Sequence, residues 1–132
     1  MPATVDLARG WMQKGDSDRC CAERILHGPG PYDTACFHCQ QAAEKYLKAV
    51  LAVNGQPIPR THDLEDIYEL CAAAAPVIVL NRLELSALTP FAVQLRYDIS
   101  FWPDSDTVQQ ALDTVNRVRA AVLAVLPAQA HP

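Results

Sequence analysis

Apolar residues recur three or four positions apart along most of the chain, the spacing of one helix face, and no segment alternates with the two-residue period of a half-buried strand. Leu7, Trp11, Asp18, Ala22 and Ile25 share one such face, with Gly15 on it too, and predict a helix starting after Thr4 as N-cap. It runs to about Leu26, where HGPGPY breaks it. A second helix covers about Tyr32 to Val53 and stops at Asn54-Gly55. Thr61 is the expected cap of a third, with Asp63, Glu65 and Asp66 in its first turn and an end near Ala74, before Pro76. A fourth is expected over about Val79 to Tyr97, kinked at Pro90 or restarted there with Thr89 as cap, and the loop DISFWP follows. The fifth, about Asp104 to Leu126, lines up Val108, Ala111, Leu112, Val115, Val118, Val122 and Leu126, with Arg117 and Arg119 off or beside that seam. The tail PAQAHP, from about residue 127, is expected to fray. The fold class is therefore all-α: residues 1–132 form a single antiparallel, up-and-down helical bundle of four main helices plus a shorter one, with apolar stripes wide enough to leave a face for self-association.

The second helix carries an unusual polar run, HCQQAAEKYLKAVL from His38 to Leu51. At about 100° per residue, His38, Gln41, Lys45 and Lys48 fall within a sector about 80° wide, while Ala43, Tyr46, Leu47, Val50 and Leu51 lie roughly opposite. Gln40 falls beside Leu47, so it points into packing and must satisfy its amide there. Glu44 precedes Lys48 by four residues, the favourable order for a helical ion pair. Two cations, an amide and an imidazole on one face can grip a phosphate or hydrogen-bond a base, although a solvated surface is what such stripes usually form. Arg60 and His62 add polar groups at the mouth of the third helix, and Arg96-Tyr97 sets a guanidinium beside an aromatic ring. Arg96 also has structural uses, capping terminal carbonyls or pairing with Asp18, whose carboxylate in an apolar stripe must find a partner or face water.

Half of the residues are hydrophobic and only five are glycine, which favours an ordered fold. A net charge of -4 gives no general attraction for a polyanion, so nucleic-acid binding needs a local basic patch. The five cysteines fall inside predicted helices and read as small buried hydrophobes. Cys36 and Cys39 make a CxxC around His38, but mid-helix and with no second such pair, so neither a metal nor a cofactor is expected. No charged apolar leader and no run near the ~18 residues of a membrane span is seen, and a reducing, cytoplasmic setting is the expectation. Gly-rich phosphate loops, HExxH and GxSxG are missing, so an enzyme reading has no such motif behind it.

Three pieces in their order and separation resemble the HEPN domain family: FHCQQAAEKYLKAVL at 37–51, THDL at 61–64 and LTPFAVQLRY at 88–97. With the amphipathic first and last helices, the resemblance covers nearly the whole chain. It implies a helical bundle that is commonly a homodimer, and small members often stand beside a minimal nucleotidyltransferase as half of a toxin-antitoxin pair. Many relatives are metal-independent ribonucleases whose shared motif is Arg, four to six residues, then His, with both subunits contributing. Histidine moves a proton for attack by the 2′-hydroxyl, and arginine stabilises the charge on phosphorus. Here Phe101, Trp102 and Pro103 stand where the histidine after Arg96 is expected. The leading expectation is thus a non-catalytic binding module for a nucleotidyltransferase partner or a nucleotide or RNA ligand. A ribonuclease with a divergent site built on Arg96, His62 or His38 is the alternative, and a structural homodimer without ligand is a third reading.

Overall fold

Helix boundaries follow from a few residues that the helical backbone cannot accept. The computed structural model describes residues 3–132, and in it α1 spans Thr4–Leu26, α2 Tyr32–Val53, α3 Leu64–Ala74, α4 Arg82–Leu88 and α5 Ser105–Val125. Short 3-10 turns cover Thr89–Phe91 and Ala128–Ala130, and no strand occurs among the described residues. The all-helical bundle expected from the periodicity is what forms, with α4 as the shorter member. Gly55 ends α2 at a φ of 66°, in the left-handed region that glycine enters without a Cβ penalty.

The central element is α2, buried from Ala35 through Ala52 at all but a few positions and packed against α1, α5 and α3. Ala43, Tyr46, Leu47, Val50 and Leu51 are all buried, as the spacing predicts. Each large apolar side chain removed from water in this way contributes about 1.5–3 kcal/mol. The closest approach is between Gly15 of α1 and the Tyr46 ring, where an added Cβ would sit 2.6 Å from a ring carbon. Gly15 is in the helix for this contact, since its lack of a side chain lets the ring reach the α1 backbone.

Several expected details differ. Thr4 does not cap α1; Ala3 occupies that position without a side-chain bond. In α1 Gly15 and Ala22 of the expected face are buried, and Trp11 and Ile25 pack against the core, but in the first turns Ala8 and Met12 are buried instead, one residue round, which leaves Leu7 exposed. Asp63, not Thr61, caps α3, its carboxylate accepting from the Glu65 and Asp66 N–H groups, while Thr61 accepts from the Asp63 N–H. The fourth helix is far shorter than Val79 to Tyr97. Tyr68 donates to the Ile78 carbonyl and accepts from the Leu80 N–H, holding that segment outside a helix until Asn81 caps α4. At the other end Pro90 has no N–H to continue the ladder, and the chain passes through a 3-10 turn into turns up to Tyr97. The tail is docked rather than frayed: Ala130 is fully buried, and Arg9 donates to the Gln129 carbonyl at 2.8 Å.

Candidate functional site

Three carboxylates organise the polar residues between the helices. Glu44, on the buried side of α2, accepts from Lys48 Nζ at 2.8 Å, from His62 at 2.7 Å through Nδ1, and from the Gln40 amide at 3.3 Å. The Gln40 amide also donates to the His62 carbonyl at 2.9 Å, and the Gln41 amide donates to the Gln40 side-chain oxygen at 2.7 Å. Burial alone pushes the Glu44 carboxyl up, but the hydrogen bonds from Lys48 and His62 and the Lys48 charge outweigh it, so its pKa lies below the ordinary value. Asp18 of α1 receives His38 Nδ1 at 2.7 Å and the Lys45 ammonium. Asp16 is chelated by the Arg119 guanidinium at 2.8 and 3.2 Å and accepts the Tyr46 hydroxyl, tying α1, α2 and α5 together. There too burial raises the pKa and the Arg119 and Tyr46 bonds lower it further than burial lifts it.

The stripe expected on α2 therefore divides. His38 and Lys45 converge on Asp18, Gln41 joins Gln40, and Lys48 turns into the buried Glu44 pair with its ammonium 5.5 Å from the Trp11 ring centroid. Gln40 is buried and fully engaged, as its position beside Leu47 predicts. Arg96 neither pairs with Asp18 nor caps a helix; its guanidinium stacks on the Phe37 ring at 4.2 Å and lies 5.6 Å from the Tyr97 ring. Arg60 is exposed and forms no ion pair among the described residues. The burial of Glu44 was readable in outline, because on a helical wheel it projects about 20° from Leu51. Asp16 and Phe37 carried no such signal, since each is defined by a partner distant in the chain, Arg119 of α5 for Asp16 and Arg96 of the turns after α4 for Phe37.

The exposed groups gather elsewhere. Val93, Tyr97, Ile99 and Trp102 are 51%, 72%, 89% and 76% exposed within ten residues of chain that also present Arg96. His62 lines a small cleft of about 190 Å³ together with Thr89, Pro90 and Val93. Burial pushes the Cys36 and Cys71 thiols up to about 12 and Cys39 higher still, which leaves them as unreactive packing groups. No cluster of three or more metal-ligating side chains occurs among the described residues, and none of their helices is long and apolar enough to cross a membrane.

A helical scaffold whose interior carboxylates each meet cationic or imidazole partners, beside an exposed arginine and aromatic surface, is the class of protein that these features define. The model of the HEPN domain family matches residues 8–125, and the chain belongs to that family. Among solved structures it is similar to the crystal structure of TT1696 from Thermus thermophilus, with a TM-score of 0.75 and 24% identity over 89% of this chain and 96% of that one. That likeness is one of fold. No match is found among curated proteins.

Proposed function

We propose that this HEPN chain is a non-catalytic binding and interaction module, self-associating through the surface formed by Val93, Tyr97, Ile99 and Trp102 and docking a nucleotidyltransferase as one half of a toxin-antitoxin-type pair. The observation that carries the reading is the composition of that surface: Tyr97, Ile99 and Trp102 are exposed after Arg96, and the positions where a ribonuclease of the family would need its histidine hold Phe101, Trp102 and Pro103. Four such side chains present on the order of 500 Å² of apolar area, a large share of the ~800 Å² that one partner contributes to a standard interface. The nucleotidyltransferase rests on the family resemblance. A nucleotide or RNA ligand is supported by Arg96, whose guanidinium is held by stacking rather than by an acid and stands beside the open Tyr97 ring. Light scattering of the purified chain, alone and coexpressed with a minimal nucleotidyltransferase, tests the module. A monomer that captures no such partner refutes it.

A second reading, metal-independent ribonuclease with a divergent site, is favoured by the carboxylates that orient His62 and His38. If RNA is cleaved in the presence of chelator and Arg96→Ala, His62→Ala or His38→Ala abolishes cleavage, the non-catalytic module falls.

A further inference from the structure

His62 differs from every other histidine in combining a buried carboxylate on one ring nitrogen with an open cleft around the ring. Its side chain is 54% exposed while that of Glu44 is 4% exposed, and they meet at 2.7 Å. Glu44 is already anionic against Lys48, so the hydrogen bond takes its proton from His62 Nδ1, and in the neutral ring the lone pair lies on Nε2. Gln40 holds both halves of the pair, donating to Glu44 and to the His62 carbonyl, so the ring's anchor is fixed from α2. His38 is also carboxylate-held but is 30% exposed and lies tilted beside the Phe37 ring. His131 has its Nε2 taken up by the Leu123 carbonyl, and His27 is exposed with no side-chain partner among the described residues.

We propose that His62 is a covalent phosphoryl-acceptor site, modified at Nε2 by a small phosphoryl donor of the acyl phosphate class. The Nε2 lone pair attacks phosphorus, the N–P bond forms, and the P–O bond to the carboxylate leaving group breaks. The ring becomes a phosphorylated imidazolium whose Nδ1 proton stays on its hydrogen bond to Glu44, so the new positive charge meets a fixed negative one. The cleft beside Pro90 and Val93 has room for a phosphoryl group and a short leaving group. The phosphoryl group brings about -1.5 to -2 charges against one positive charge gained by the ring, so the adduct adds about -0.5 to -1 net beside Val93, at the edge of the apolar surface, and so opposes self-association there. That consequence rests on the association proposed above, whereas the modification does not.

The test uses the full chain and acetyl phosphate at neutral pH, with the product followed by phosphorus NMR for the N–P signal and located by mass spectrometry. His62 is expected to be phosphorylated about ten times faster than His27, an unassisted exposed histidine in the same molecule, and His62→Gln to remove the fast phase. Equal rates at His62 and His27, or a fast phase that survives His62→Gln, overturn the assignment. Because the key comparison is made within the unaltered protein, it does not depend on any variant folding. Light scattering of the modified protein separately reports on the interface, so a monomeric starting protein would refute the association without touching the acceptor role.

Discussion

The α1, α2 and α5 interior and the segment from Thr89 to Asp104 handle polar and apolar groups in opposite ways. Inside the bundle the carboxylates meet partners: Glu44 with Lys48 and His62, Asp18 with His38 and Lys45, Asp16 with Arg119. The later segment leaves large apolar rings in water and holds its one cation, Arg96, on an aromatic face instead of an acid. Such satisfied interior networks specify how helices pack, whereas unsatisfied apolar surface has a use only when something covers it.

If the contrast holds, changes to the interior act on folding and changes to the exposed segment act on association. The largest effect is expected for Glu44→Ala, which strands the buried Lys48 ammonium and should cost about 3–5 kcal/mol in chemical denaturation. Gly15→Ala follows at about 1–3 kcal/mol, because the new methyl overlaps the Tyr46 ring. A loss within ~0.5 kcal/mol for either would mean that the interior is looser than described. Acid comes next. Glu44 and Asp16 have native pKa values below their ordinary 4.5 and 3.8, so their stabilisation is complete at neutral pH and is lost as pH falls through that range and on past the lowered native values. Urea midpoints that stay level from pH 6 to about pH 3 would contradict the pairing. Ile99→Ser with Trp102→Ser should leave stability within about 0.5 kcal/mol while reducing the mass seen by light scattering. Unchanged mass would remove this surface from any self-association. Last, a thiol reagent should label the exposed Cys20 in the native protein and reach Cys36, Cys39 and Cys71 only on unfolding, with no effect on stability at the first site.

Much of the fold was legible because its signals are local. The bounds of α2 are those its periodicity and the Asn54-Gly55 stop predict, and α5 starts one residue after the expected Asp104, which serves as its cap. Errors arose where a break depended on contacts from elsewhere, or where two neighbouring residues competed for one cap. The Tyr68 hydroxyl sets where α4 can begin, and Asp63 outcompetes Thr61 because its carboxylate reaches two N–H groups of the first turn. The candidate site was only partly readable. His38, Gln41, Lys45 and Lys48 share a sector of α2, yet that sector faces Asp18 and Glu44 rather than one common ligand.

By itself the sequence determined α1, α2, α3 and α5, the all-α class and the missing histidine after Arg96, since each depends on residues near one another in the chain. The Glu44–Lys48 pair, four residues apart on one helix, was legible in the sequence, but only the tertiary structure decided which carboxylates the other interior groups meet. The pairs Asp18 with Lys45, Glu44 with His62 and Asp16 with Arg119 are separated by 27, 18 and 103 residues, and a rotation of one helix by a single residue would turn each side chain about 100° away from its partner. Between α1 and α2 one contact that fits a single rotation is that of Gly15 with the Tyr46 ring, a packing event between residues 31 positions apart.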